Sequence, residues 1–145
     1  MENYEILDTA LSNPLKYVLY FRDIENNILY DKPHYYIILP TKTNEFIFLT
    51  MITSQIDKVK SRVENKETLI ELNKNDLDFL TKDISIIDCN RIIMKSKEDL
   101  FHLETLKIIN TNISKELYEK LIIAINKSKV ISTRYKKHID LSKLK

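Results

Sequence analysis

Glycine is missing from the whole 145-residue chain. Phosphate-cradling loops of the Walker and dinucleotide-binding kinds need glycine for tight turns and close backbone approach, so both are excluded. Turns fall instead to asparagine, aspartate and proline, as at Asn26-Asn27, Asp31, Pro40, Asn44, Asn73 and Asn75. Cysteine occurs once, at Cys89, which rules out an internal disulfide and leaves no CxxC pair for a structural zinc. No apolar run approaches the ~18–20 residues that span a bilayer. Residues 1–5 (MENYE) lack the basic start and apolar stretch of a signal peptide. The expectation is a cytoplasmic domain with no membrane partner.

Charge of one sign is also lacking: 23 Lys+Arg against 21 Asp+Glu leave a formal +2. That balance permits nucleic-acid binding without arguing for it; only clustered cations would argue. What is present suits one globular domain over residues 1–145, with 43% hydrophobic and 30% charged residues. There is no HExxH, no cysteine pair and no cluster of carboxylates, so neither metal nor cofactor is expected.

Along the chain, residues 5–11 read as a short helix stopped near Asn13-Pro14, and residues 15–21 as a strand. Residues 34–39 (HYYIIL) form a second strand ending at Pro40, and residues 41–44 a turn. Residues 45–53 follow, apolar on both parities, as in a strand covered on both faces. Short β-like runs recur at 68–72, 84–88, 90–94 and 106–109, while 75–80 reads as a helical turn or loop. Ser96 is placed to cap a brief helix, and Ser114 to cap a longer one over 115–128. In that helix Leu117, Leu121, Ala124 and Ile125 recur at helical spacing. A basic tail begins at about residue 130, and residues 133–145 are expected to fray. Many short strands with one good late helix predict an α+β domain on a small, curled antiparallel sheet.

The order of these pieces is distinctive. A strand is followed by "DKP" and the aliphatic "YYIIL", and a hairpin leads to a strand ending in "ITSQIDKVK". Then come "SIIDCNRI" with a helix close behind and the last helix, "ISKELYEKLIIAINKS". From about residue 15 to 129 this order resembles the MazF/PemK family of toxin endoribonucleases from bacterial toxin–antitoxin pairs. The resemblance implies a small SH3-like antiparallel β-barrel with short helices and a C-terminal helix, usually a homodimer neutralised by a cognate antitoxin protein. It implies metal-independent cleavage of single-stranded RNA, in which a ribose 2′-hydroxyl attacks the neighbouring phosphate. Two features depart from the family: the glycine before its Arg-Pro pair is absent, and the arginine itself is Lys32. A barrel that kept the fold but binds RNA or protein without catalysis is therefore the alternative, as is a toxin that binds a protein target.

The implied reaction needs a base, an acid, and donors or cations for the charged phosphorane. Thr53 matches the family's catalytic threonine and would hydrogen-bond the phosphate; otherwise it is a β-branched residue ending a strand. Lys32 matches the arginine by its place before proline, although an ammonium lacks the planar two-pronged grip of guanidinium; otherwise it is a solvated turn lysine. His34, two positions on, has the one side-chain type that titrates near neutrality unperturbed, so it is a candidate acid or base, or an ordinary strand residue. The hairpin predicts that His34 and Thr53 come to the same end of the sheet. Ser54 and Gln55 could bond phosphate or base edges, or serve their own loop. Lys58, Lys60 and Arg62 alternate, and on extended chain they would form one basic stripe for an RNA backbone, or a solvated face. Tyr30, Tyr35 and Tyr36 could stack bases or pack in the core. Asp88 and Arg91 read as a structural ion pair or turn.

Overall fold

A computed structural model describes residues 2–23, 32–42 and 46–139. Their elements, in order, are α1 (Glu2–Ser12), β1 (Tyr17–Phe21), β2 (His34–Leu39), β3 (Ile47–Thr53) and α2 (Ile56–Arg62). A 3₁₀ turn (Lys66–Thr68) leads into β4 (Leu69–Asn73), β5 (Ile84–Asp88), β6 (Ile93–Lys95) and α3 (Lys97–Phe101). β7 (Lys107–Asn110), α4 (Lys115–Lys127) and α5 (Thr133–Lys136) complete them. The expected turns at Asn26-Asn27, Asp31 and Asn44, together with Tyr30, lie outside the described residues.

The fold is α+β. Seven antiparallel strands form one sheet in the order β4-β5-β3-β2-β1-β7, with β6 also paired to β3. Among the described residues no pairing joins β4 to β7, so the sheet is open along this path. β3 divides its outer edge: Ile47 to Leu49 pair with β6, and Ile52 and Thr53 with β5. A core packs on each of its two faces, Phe48 and Ile52 entering one and Ile47 and Leu49 the other, which accounts for apolar residues on both its parities.

Alternate side chains of β1, β2 and β3 enter two different cores. Val18, Ile37, Leu39, Phe48 and Ile52 pack with Leu117, Tyr118, Leu121, Ala124 and Ile125 of α4. Leu19, Phe21, Tyr36, Ile38 and Leu49 pack on the other face with Leu7 of α1 and Leu100 of α3. The long helix forms as its sequence predicts, with the Ser114 hydroxyl accepting the Leu117 N–H at 3.1 Å and the apolar stripe facing the sheet. Ser96 caps α3 in the same way, through the Asp99 N–H. Among the described residues, no helix is long and apolar enough to cross a membrane.

Two expectations need correction. Residues 56–62 are not extended but helical, because Ile56, Val59 and Val63 recur at helical spacing and pack against Ile86 and Leu69. The tail does not fray between Ile131 and Ile139. Ile131 is buried in the α4 core, the rings of Tyr135 and His138 stand edge-on to Phe48, and the Lys42 N–H donates to the His138 carbonyl at 2.7 Å. Lys136 Nζ also donates to the Asn126 and Ser128 carbonyls, at 3.2 and 2.6 Å, and so closes the C-terminal end of α4.

Candidate functional site

Tyr35 of β2 pairs with Ile52 of β3, and continuing that register sets His34 opposite Thr53. Opposed residues of an antiparallel pair point to one face, so the two side chains meet where the hairpin strands begin and end. At Thr53 the chain turns sharply: its Oγ1 accepts the Gln55 N–H at 3.2 Å, and α2 starts at the next residue. This brings α2 back across the strand end. His34, Thr53, Gln55, Lys58, Arg62 and Arg91 then line one small cleft, together with the apolar Met51 and Val59.

The space inside is about 10 Å³, room for roughly one water. A phosphate would therefore meet these groups at the mouth. Thr53 is 6% exposed and His34 half-buried, so both polar groups are held rather than freely solvated. Burial lowers the His34 pKa below the ordinary histidine value; a hydrogen bond with the Lys32 backbone opposes this, and the Lys32 charge adds to it. Neutral imidazole is favoured near pH 7, which is the form a general base requires.

The cations differ in how they are compensated. Arg62 Nη2 lies 3.3 Å from Asp88 Oδ2. Asp88 is buried, and its other oxygen accepts the backbone and side-chain N–H groups of Asn90 at 3.0 and 2.9 Å. The Arg91 N–H donates to the Asp88 carbonyl at 3.2 Å, closing a turn. The Arg91 guanidinium, by contrast, has no hydrogen-bond or ion-pair partner among the described residues. The turn read from Asp88 and Arg91 is there, but the ion pair read with it belongs to Asp88 and Arg62.

The remaining expected residues are dispersed. Lys32 is exposed beside His34 and does not line the cleft, nor does the exposed Ser54. The stripe expected of Lys58, Lys60 and Arg62 is not formed. On a helix Lys58 and Arg62 share a face, at i and i+4, whereas Lys60 turns away to pair with Glu71 of β4. Tyr36 is fully buried and stacks on Phe21, while the half-buried Tyr35 lies between Tyr20 and Phe79. Burial pushes the Cys89 thiol up to about 12, with the Asp88 charge adding to it, so no thiolate nucleophile is available at neutral pH. Among the described residues, no three His, Cys, Asp or Glu side chains cluster as metal ligands would.

Sequence reasoning did not assign Arg91 to the site. The signal was present in "SIIDCNRI", where an arginine follows a strand that ends in Ile-Asp, but its neighbour Asp88 suggested a purely structural use. No family model matches the chain, and no curated protein matches it.

Proposed function

We propose that this protein is an endoribonuclease of the MazF/PemK toxin type, cutting single-stranded RNA without a metal. The observation that carries the reading is the convergence of His34 and Thr53 on one cleft that also receives Lys58, Arg62 and Arg91. In the proposed reaction neutral His34 removes the 2′-hydroxyl proton, and the 2′-oxygen attacks phosphorus. The bond to the 5′-oxygen breaks, that oxygen takes a proton from solvent, and a cyclic phosphate and a 5′-hydroxyl result. Thr53 Oγ1 already accepts a backbone N–H, so its own proton is left to donate to a phosphate oxygen. The cations offset the charge that develops on the phosphorane.

The same reading includes a cytoplasmic homodimer held inactive by a cognate antitoxin, and a sheet curled toward an SH3-like barrel. Support for the curl comes from the buried ion pair of Asp23 and Lys95, at 3.0 Å, which links the chain just after β1 to β6 although those strands do not pair. One observation favours a second reading, a non-catalytic RNA- or protein-binding module: Lys32, at the position of the family's arginine, lies outside the cleft.

Incubation of purified protein with a long RNA in excess EDTA separates the two. Cleavage to cyclic-phosphate ends is expected. His34→Ala should lower turnover by about 10²–10⁴, the usual worth of a general acid or base. Thr53→Val, nearly the same shape, should also slow cleavage while circular dichroism stays unchanged. Intact RNA with wild-type protein, or wild-type rates from both folded variants, would remove the nuclease reading.

A further inference from the structure

We infer that Arg91 is the group that grips the substrate's phosphodiester in this cleft, an inference that rests on the RNA reading above. Of the candidate cations, Lys60 is paired with Glu71, Arg62 is paired with Asp88, Lys58 is an exposed ammonium without the two-pronged geometry of guanidinium, and Lys32 lies outside the cleft. Arg91 lines the cleft half-buried, and no described residue compensates its charge. A partly desolvated guanidinium without a counter-charge is costly to keep, and an incoming oxyanion relieves that cost.

Its placement is also fixed in advance. Asn90 Nδ2 donates to Thr68 Oγ1 at 2.7 Å, and Ser128 Oγ donates to Asn90 Oδ1 at 2.6 Å. The turn that presents Arg91 is thereby fastened both to the start of β4 and to the end of α4. β3 lies between β2 and β5 in the sheet, and His34 stands beside Thr53 on the β2 side. On the β5 side Thr53 pairs with Ile86, and the turn after β5 begins level with Met51, from where Arg91 reaches the cleft that Met51 and Thr53 also line. A phosphate on Thr53 would then have the base on one flank and the guanidinium on the opposite flank. A planar, two-pronged donor suits the paired non-bridging oxygens of a phosphodiester better than an ammonium does.

The test uses Arg91→Ala, Arg91→Lys and Arg62→Ala in the full chain, each confirmed folded by circular dichroism, with Arg91→Gln standing in for any that misfolds. Two quantities are read: single-turnover RNA cleavage in EDTA, and binding of a non-cleavable 2′-O-methyl RNA across a salt series. Arg91→Ala should slow cleavage by about 10²–10³, as loss of an oxyanion donor does. It should also reduce the salt slope of binding by about 1, as loss of one phosphate contact does. Arg91→Lys should restore the slope but not the rate, and Arg62→Ala should slow cleavage less than Arg91→Ala. Unchanged RNA binding by Arg91→Ala, or a wild-type rate from Arg91→Lys, overturns the inference. If wild-type protein binds the RNA and never cuts it, the nuclease reading fails while a lowered slope in Arg91→Ala still supports Arg91 as the phosphate contact.

Discussion

At His34, burial favours neutral imidazole, and this has two consequences that pH can reveal. The folded-state pKa lies below the ordinary value of 6.5, so the unfolded chain binds the proton more tightly. Stability contributed by His34 is present above pH 6.5 and is lost as pH falls from there through the lowered folded value. His34→Gln should therefore flatten part of the acid-side decline in urea midpoint, a difference to be read against wild type. Cleavage by the wild type should persist somewhat below pH 6.5 and then fall as the base is protonated. An activity that rises as the pH is lowered would show that His34 acts in its cationic form. The meeting of His34 with Thr53 was legible in the sequence because a hairpin has few registers and strand side chains have a strict period of two. Arg91 was not, because nothing in a linear sequence says which of two nearby arginines a buried carboxylate will choose.

Among the elements, α2 shows why spacing can mislead over short runs. Lys58, Lys60 and Arg62 alternate as on a strand, but a seven-residue segment fits period two in its charges and period 3.6 in its apolar residues. Burial decides between them, since Val59 and Val63 reach Ile86 only if the segment coils. The strands at His34–Leu39 and Ile84–Asp88 were legible to the residue, each being a compact aliphatic run bounded by polar chain. α2 carries Lys58 and Arg62 but is held by a small cluster, so its packing should govern the site. Val59→Ala removes two methyl groups from a side chain that is 1% exposed and should cost about 1–2 kcal/mol. Cleavage should fall by more than the unfolded fraction explains, because the helix presenting two cations is loosened. Hydrogen exchange that speeds up in residues 56–62 ahead of the rest of the chain would check this. Uniform exchange with full activity would contradict it.

For the molecule as a whole, the open question is whether two cores behave as one. They share β1, β2 and β3: Val18 and Leu19, Ile37 and Ile38, and Phe48 and Leu49 are neighbours in sequence that serve opposite faces. Losing either layer would leave one face of the same three strands bare to water, so neither core has a stable state without the other. Tyr118 tests this from the α4 side. It is wholly buried, burial pushes its phenol pKa well up, and its hydroxyl is shared between the Pro14 and Ile38 carbonyls at 2.8 and 2.6 Å. One side chain thus ties α4 to the loop after α1 and to the middle of the sheet. Tyr118→Phe keeps the ring and removes that donor from two acceptors, which should cost about 1–3 kcal/mol. If the cores are coupled, the loss appears as one shifted urea transition, identical by far-ultraviolet dichroism and by tyrosine fluorescence. Two separated transitions, with the α1 and α3 side surviving the first, would show that the sheet does not bind its two layers into a single cooperative unit.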